Sequence, residues 1–189
     1  MRTHTRAPMN SMYPKSDPVP STTKSAPAKK SISAASSKRA TLGRRIQVRR
    51  SGVHGKGVFA VAPLKKGEVV IEYVGEIIDW EEALDRHPHD PQQPDHTFYF
   101  HLETGLVIDA NVDGNAARWI NHSCAPNCEA DEVEGRVFIK ALRNIKSGEE
   151  LNYDYGLTID ERYTPALKKK FACHCGAKQC SGTMLSPKR

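Results

Sequence analysis

The stretch "GNAARWINHSCAPNC", Gly114–Cys128, places two large apolar residues, Trp119 and Ile120, directly before an Asn-His pair and a thiol. The apolar pair favours burial, and its position in the chain brings the polar residues Asn121 and His122 into the interior with it. Buried polar groups destabilise a fold unless they find hydrogen-bond partners. The rest of the chain must therefore supply partners for this segment.

The sequence around this stretch predicts a mainly β fold with short helices. Apolar runs of four to ten residues are separated by glycine-containing turns, and few helical periods occur. A hairpin is expected around Thr104 and Gly105, and a short helix is expected at 80–86, with Asp79 as its N-cap. Further strands are predicted at 46–48, 58–61, 69–78 and 136–142, and the segment 147–156 closes the domain.

Charge divides the chain of 189 residues into two parts. Residues 1–50 contain 12 Lys and Arg and one acid, a net charge of +11, whereas residues 51–189 carry a net charge of −5. A basic segment attracts nucleic acid and an acidic body attracts a basic substrate, although both can be ordinary solubilising surfaces. Residues 1–43 are rich in Ser, Ala, Pro, Thr and Lys, which predicts a disordered basic tail. Within it, Lys29–Arg39 resembles a bipartite nuclear-import signal or a nucleic-acid-binding arm.

Several classes of protein are not expected. The chain has no run of about 18 apolar residues, so neither a membrane span nor a membrane partner is predicted. The N-terminus lacks the apolar core of a secretory signal. Neither the nucleophile motif of α/β-hydrolases nor the HExxH motif of zinc peptidases occurs. The segment 87–96, with three prolines and three histidines, is interpreted as a solvated loop rather than a metal site.

The five cysteines lie in the C-terminal part of the chain, and three of them form the pattern C-x-C-x4-C at Cys173, Cys175 and Cys180. Without a secretory signal, such clustering favours a metal over disulfides. Tetrahedral zinc needs four ligands, so one must come from outside this pattern or from between its members. On spacing alone, Cys124, Cys128 and His174 all remain candidates.

Two further motifs are ambiguous by themselves. "HGKG", His54–Gly57, is a tight turn whose glycines let backbone approach a ligand and whose Lys56 could hold an anion. Tyr153 and Tyr155 fall on one face of an extended strand, where phenols either pack in a core or line a channel for a cation.

In combination, these motifs resemble the SET domain of protein-lysine methyltransferases. The family's glycine motif resembles "GVHGKGVFA", and its Asn-His signature resembles "GNAARWINHSCAPNC". Its closing Tyr motif resembles "GEELNYDYG", and its post-SET zinc tail resembles "CHCGAKQCSGTM". The four motifs occur here in the family's order. The resemblance covers Arg45–Leu185 and is closest to short, bacterial-type members. It divides the chain into a SET domain at 44–156, a connecting segment at 157–168 and a post-SET tail at 169–185.

The resemblance implies a fold of small sheets around a pseudoknot-like threaded segment. It also implies transfer of a methyl group from S-adenosylmethionine to a lysine ε-amine. In this role Tyr155 is the catalytic residue and Tyr153 lines the lysine channel. The residues expected to bind the cofactor, some through their backbone, are His54, Lys56, Gly57, Arg118, Asn121, His122 and His174. The expected ligands of a structural zinc ion are Cys124, Cys173, Cys175 and Cys180.

One position departs from the family pattern. The strand "TFYFHL" has Phe98 where the family usually has Tyr, and Tyr99 lies one place further on. Because successive side chains of a strand point to opposite faces, Tyr99 reaches the site only through a bulge. Otherwise Phe98 forms an apolar wall and the site has one hydroxyl fewer.

The expected substrate is a basic protein, either histone-like, DNA-binding or ribosomal. The location is cytoplasmic for a bacterial member, with a nuclear or chromatin location also compatible with the basic tail. Two alternative functions remain at this level: a catalytically silent SET-like binding module and a zinc-stabilised nucleic-acid-binding protein.

Overall fold

The structure, a computed structural model, describes residues 45–87, 97–159 and 161–188. The predicted tail at 1–43 lies outside these residues, as does all of the predicted loop at 87–96 except His87. Neither α-helix in the described part of the chain has the length and hydropathy needed to cross a membrane.

Short strands dominate the described residues. Two α-helices, α1 (Trp80–Arg86) and α2 (Pro165–Lys170), and one 3-10 helix, η1 (Ala116–Trp119), accompany them. The strands are β1 (Ile46–Arg50), β2 (Lys56–Ala60), β3 (Val69–Tyr73), β4 (Glu76–Ile78), β5 (Tyr99–His101), β6 (Val107–Asp109), β7 (Asn121–His122), β8 (Cys128–Val133), β9 (Arg136–Ala141) and β10 (Glu150–Tyr153). The predicted mainly β fold with short helices is confirmed.

Three small sheets contain these strands, in the orders β1-β2-β10-β7, β3-β9-β8 and β4-β6-β5. The closing strand β10 lies between β2, to which it is antiparallel, and β7, to which it is parallel. Its register places Asn152 beside Asn121 and Tyr153 beside His122. Two motifs about thirty residues apart in the chain therefore meet side by side.

The predicted helix and hairpin form as expected. The Asp79 side chain accepts a hydrogen bond from the Glu82 backbone N–H at 2.8 Å, which supplies a partner for an amide at the start of α1. Arg86, in the last turn of α1, binds the buried carboxylate of Asp109 at 3.0 Å and thereby fastens the helix to β6. Gly105, with φ of 84°, allows the turn between β5 and β6.

Two elements differ from the sequence prediction. The stretch 69–78, predicted as one strand, is divided into β3 and β4, which join different sheets. The division falls at Gly75, where an added Cβ would lie 2.8 Å from the Ala110 Cα, so the chain turns there in close contact with β6. Strand β8 was not predicted, because its acidic residues Glu129, Asp131 and Glu132 obscure the alternation of apolar and polar side chains. It nevertheless pairs with β9 along its whole length.

The signature segment is held against this framework by close backbone packing. An added Cβ at Gly114 would lie 2.7 Å from the Ala110 carbonyl carbon, so only glycine fits. At its other end Asn127 and Asn152 exchange hydrogen bonds, each amide oxygen accepting from the other residue's backbone N–H at 3.0 and 2.9 Å. Both ends of the segment are therefore fixed to the sheets, and Ile120 is buried between them.

Candidate active site

His122 and Tyr155 form the centre of the candidate site, where β7 lies beside β10. The Tyr155 backbone N–H donates to His122 Nδ1 at 3.2 Å, and the two rings pack edge to face at 5.4 Å. Burial lowers the pKa of His122, although the Asp154 carboxylate, 3.7 Å from Nδ1, opposes this effect. The imidazole is therefore held largely neutral with Nδ1 as an acceptor.

The Tyr155 hydroxyl has a defined orientation. It donates to the Ile120 carbonyl oxygen at 2.9 Å, which leaves the phenol oxygen's lone pairs available to another group. The Tyr153 ring lies 5.0 Å away, and burial raises the pKa of both phenols well above the ordinary value of 10. The two tyrosines predicted from the closing motif thus share one desolvated cluster in which both hydroxyls stay protonated at neutral pH.

A third tyrosine, Tyr73 on β3, belongs to the same cluster and was missed by the sequence analysis. Its side chain is buried, and its hydroxyl donates to the Phe98 carbonyl oxygen at 2.9 Å. Desolvation raises its pKa, with a further contribution from Tyr155. The available signal was a single phenol in the apolar run "VVIEYVGEII", but such a residue is equally compatible with ordinary core packing.

The ambiguity at "TFYFHL" is resolved by the strand register. Tyr99 pairs with Asp109 and Phe100 with Ile108, so β5 continues in register without a bulge. The Tyr99 hydroxyl donates to the Ala83 carbonyl oxygen of α1 at 3.0 Å, outside the tyrosine cluster. The Phe98 ring packs edge to face on Trp119 at 4.8 Å, as the apolar-wall interpretation predicts.

Asn121 links the signature to the glycine turn. Its Nδ2 donates to the Lys56 carbonyl at 2.9 Å and lies 2.8 Å from Glu150 Oε1 and 3.4 Å from the His54 carbonyl. A Cβ added at Gly57 would lie 2.8 Å from Glu150 Cδ, so a larger residue here would displace the carboxylate that Asn121 contacts. The turn and the signature therefore form one surface on which the side chains of His54 and Lys56 are exposed.

Cationic side chains cover Trp119 at the edge of this surface. The Lys56 ammonium lies 4.5 Å from the centre of its ring, and the Arg118 guanidinium lies 4.8 Å from that centre and 5.5 Å from the Phe98 ring. Arg118 also donates to the Ala110 carbonyl at 2.9 Å. These contacts fasten Arg118 to the fold, and the Lys56 side chain remains exposed.

Four of the five cysteines converge. The Sγ atoms of Cys124, Cys173, Cys175 and Cys180 all lie within 4.8 Å of one another, and Cys124 Sγ is 3.7 Å from that of Cys173 and 3.9 Å from that of Cys180. Thiolates bound tetrahedrally to zinc at about 2.3 Å are separated by roughly 3.8 Å, so this donor set fits the ion. Cys128 is instead fully buried in the main core, and His174 is exposed.

One thiol of the cluster ionises more readily than its neighbours, since the pKa of Cys175 is lowered whereas burial raises that of Cys173. Burial by itself would raise the pKa of Cys175, but hydrogen bonds from the backbone of Cys124 and Ala177 and from the Cys173 and Cys180 thiols lower it to about 6. A deprotonated thiol is the form that binds a metal ion. The fourth member, Cys124, is adjacent to the His122–Tyr155 centre, since its Sγ lies 3.5 Å from His122 Nε2.

His122 was expected to bind the cofactor, and its position restricts how it could do so. Both ring nitrogens already face groups of the protein, Nδ1 towards Tyr155 and Nε2 towards Cys124. A cofactor contact at this residue would therefore use its backbone.

Comparison with known proteins agrees with this geometry. The SET domain family model matches residues 55–156, which is more than half of the chain. The chain is 38% identical over 139 residues to histone-lysine N-methyltransferase trithorax of Drosophila virilis and 40% identical over 139 residues to histone-lysine N-methyltransferase 2D of Homo sapiens. It is 40% identical over 137 residues to the H3 lysine-4 specific histone-lysine N-methyltransferase of Schizosaccharomyces pombe.

These matches cover 71%, 71% and 70% of the chain but only 3%, 2% and 14% of the respective relatives, so the likeness concerns one domain of much longer proteins. The matched domain contains the glycine turn, the Asn-His signature and the closing tyrosine motif. The chain belongs to the SET-domain family.

Proposed function

We propose that this chain is a protein-lysine N-methyltransferase that transfers a methyl group from S-adenosylmethionine to the ε-amine of a lysine in a basic protein. The observation that carries the proposal is a cluster of three phenols beside the Asn121–His122 strand, in which Tyr73 and Tyr153 are buried and Tyr155 is half-buried. The sequence similarity of the chain to histone-lysine N-methyltransferases supports the same reaction.

The tyrosine cluster suits a lysine nucleophile. Free lysine has a pKa of about 10.4, so only about one amine in a thousand is neutral at pH 7. Entry into a desolvated aromatic site disfavours the ammonium form and lowers that pKa. The Tyr155 oxygen, whose own hydrogen is donated to Ile120, accepts a hydrogen bond from the amine and orients its lone pair.

The surface formed by the turn and the signature fits S-adenosylmethionine. This cofactor supplies an electrophilic methyl group when it is bound. The exposed Lys56 ammonium suits a carboxylate, and the closely packed Gly57 lets the backbone approach a ligand. Asn121 and Arg118 keep this surface in shape through their hydrogen bonds to the Lys56 and Ala110 carbonyls. Exposed His174, between two cysteines of the cluster, is proposed to contact the cofactor as well.

The four-cysteine cluster is proposed to bind one structural zinc ion. Its donor set, spacing and lowered Cys175 pKa all suit a tetrahedral thiolate site. The ion fastens the C-terminal segment to Cys124, directly beside the tyrosine cluster. Its role is to complete the lysine channel, whereas the methyl transfer itself needs no metal.

The proposed substrate class is a histone or another basic DNA-associated protein. The relatives' names support it, as does the net charge of −5 over residues 51–189. The +11 segment at residues 1–50 is proposed to bind nucleic acid and bring the enzyme to such substrates. Affinity of the full chain for duplex DNA should fall steeply with salt. A salt-independent affinity would remove this role.

The decisive experiment is methylation of purified core histones by the full chain with S-adenosylmethionine, followed by mass spectrometry of lysines. Tyr155→Phe removes the oriented phenol oxygen and should lower turnover about 100-fold or more, as expected for loss of a group that positions the transition state. Tyr99→Phe is the matched control, because its hydroxyl bonds to Ala83 outside the cluster.

Turnover within about threefold of wild type is expected for this control, because it loses one peripheral hydrogen bond. Equal turnover of Tyr155→Phe and wild type would contradict the assigned role. Absence of methyl transfer to any basic protein, despite tight S-adenosylmethionine binding, would instead favour a silent binding module.

A further inference from the structure

The imidazole of His122 lies between the cysteine cluster and Tyr155 and contacts both. On one side its Nδ1 faces the Tyr155 backbone N–H at 3.2 Å, and on the other its Nε2 faces Cys124 Sγ at 3.5 Å. The ring is buried, so water does not compete for either contact. These two contacts use both polar atoms of the side chain.

The partners determine the tautomer. A backbone N–H can only donate, so the Tyr155 contact at 3.2 Å favours Nδ1 as the unprotonated acceptor over a protonated Nδ1 facing Asp154, which is further away at 3.7 Å. In a neutral imidazole the proton is then on Nε2, where it points at Cys124 Sγ. Sulfur accepts such a bond best as a thiolate, which is the form that a metal-binding cysteine adopts.

The neighbouring hydroxyl does not compete for the same role. Ser181 Oγ lies 3.5 Å from Cys124 Sγ, but it donates its hydrogen to the Thr183 carbonyl oxygen at 2.6 Å. The His122 Nε2–H is therefore the N–H donor from the SET core directed at this sulfur. Edge-to-face packing of the imidazole on the Tyr155 ring, at 5.4 Å, adds a second contact with the tyrosine.

We propose that His122 is a positioning residue through which the state of the four-cysteine cluster controls the placement of Tyr155. The Cys124 sulfur accepts the Nε2–H, this contact fixes the plane of the imidazole, and the fixed ring holds the Tyr155 backbone and phenol. The cysteine cluster then does more than fasten the C-terminal segment, because it also sets the geometry of the phenol. The kinetic part of this proposal rests on the proposed function, whereas the structural part does not.

A direct test uses the full chain loaded with cadmium-113 in place of zinc. A bond from Nε2–H to a metal-bound sulfur should give a correlation between the cadmium nucleus and the His122 Hε2 proton. Nitrogen-15 shifts should show the neutral tautomer protonated at Nε2. Absence of the correlation in a fully loaded protein, or protonation at Nδ1, would overturn the proposal without any variant or activity measurement.

Two substitutions separate the two contacts. His122→Asn retains an acceptor near the Nδ1 position but cannot reach Cys124, whereas His122→Gln reaches towards Cys124 but loses the acceptor for Tyr155. We expect His122→Asn to release metal to a chelator about tenfold faster, with His122→Gln within threefold of wild type. Both substitutions should lower kcat about tenfold and leave the KM for a peptide substrate within twofold of the wild-type value.

His101→Asn is the matched control, because His101 packs on Trp80 at 5.7 Å, outside the site. It should change neither metal release nor kcat by more than twofold. Equal metal release from His122→Asn, His122→Gln and wild type would contradict the proposal. If the chain transfers no methyl group at all, the metal-release and cadmium measurements still decide it, so the two failures are distinguishable.

Discussion

The SET core and the C-terminal segment at 157–188 achieve their order by different means. The core buries eighteen residues, mostly apolar, among paired strands, including Val58, Val137 and Leu151 with no exposed surface. The C-terminal segment has a cluster of only four buried residues, one six-residue helix and isolated bridges. A segment of this length is rarely stabilised by so few apolar contacts. The cysteine cluster is therefore expected to supply the rest of its stability. Loss of the metal should therefore unfold the C-terminal segment, whereas urea is needed to unfold the core.

The largest effect should follow loss of one cysteine ligand. Cys175→Ser should lose most bound zinc and make residues 157–188 sensitive to protease, while the core keeps its urea midpoint. Activity should fall with metal content, because the segment is proposed to complete the lysine channel. Metal analysis, limited proteolysis and urea unfolding measure the three quantities.

The choice of fourth ligand can be checked with the same measurements. Cys124→Ser should be depleted of zinc, whereas Cys128→Ala should retain it, because Cys128 is buried in the core away from the cluster. Full occupancy in Cys124→Ser together with depletion in Cys128→Ala would reverse the assignment.

A substitution confined to the core should destabilise the core itself. Gly114→Ala introduces a Cβ that would lie 2.7 Å from the Ala110 carbonyl carbon, and these contacted atoms are backbone, which cannot rotate away as a side chain could. The free energy of unfolding of the core should fall by about 3 kcal/mol, measured by urea unfolding.

Gly52→Ala is the control for this change, because nothing lies within 4 Å of its added Cβ. It should alter stability by no more than about 0.5 kcal/mol. Equal stability of the two alanine variants would mean that Gly114 is not constrained by Ala110.

Alkaline pH should also act on the core through its buried phenols. Burial raises the pKa of Tyr73, Tyr153 and Tyr155 in the folded chain, whereas unfolded tyrosines ionise near pH 10. The stabilising contribution of these groups is therefore complete below pH 10 and is lost as pH rises above it. Each buried phenol should remove up to about 1.4 kcal/mol per pH unit in that range.

Urea unfolding at pH 9, 10 and 11, followed by tyrosinate absorbance, tests this expectation. Tyr73→Phe should reduce the pH dependence, because one of the three phenols is gone. Ionisation of all tyrosines at pH 10 with an unchanged urea midpoint would contradict it.

The smallest effect concerns the number of methyl groups added. The Tyr153 ring lies 5.0 Å from that of Tyr155. We propose that the Tyr153 hydroxyl narrows the space in which an already methylated amine would have to turn. The native enzyme should give mainly mono- and dimethyl-lysine, and Tyr153→Phe should shift the product towards trimethyl-lysine. A tenfold change in product ratio corresponds to about 1.4 kcal/mol between transition states.

Time-resolved mass spectrometry of one peptide measures this product ratio. Efficient trimethylation by the native chain that is unchanged in Tyr153→Phe would show that another residue limits the product.

Local sequence signals were sufficient for several features. The N-cap at Asp79, the turn at Gly105 and the cysteine spacing at 173–180 each depend on residues that are close in the chain. The family resemblance favoured Cys124 over Cys128 as the fourth member of the cysteine cluster, as the distances between the sulfur atoms also indicate.

Other features depended on contacts between residues far apart in the chain. A buried phenol at Tyr73 has the same local pattern whether it packs in a core or lines a site, and only its proximity to Tyr153 and Tyr155 distinguishes the two. The orientation of Tyr99 required the register of β5 against β6, which a sequence of alternating apolar residues leaves undetermined.

The sequence by itself determined the mainly β fold, the order of its motifs and the residue types available for chemistry, because these follow from local preference and composition. Only the tertiary structure decided which side chains meet. The double contact of His122, with Tyr155 on one side and Cys124 on the other, arises from a parallel pairing between strands about thirty residues apart. The polar atoms of the Asn-His segment are satisfied there by groups that no local pattern specifies.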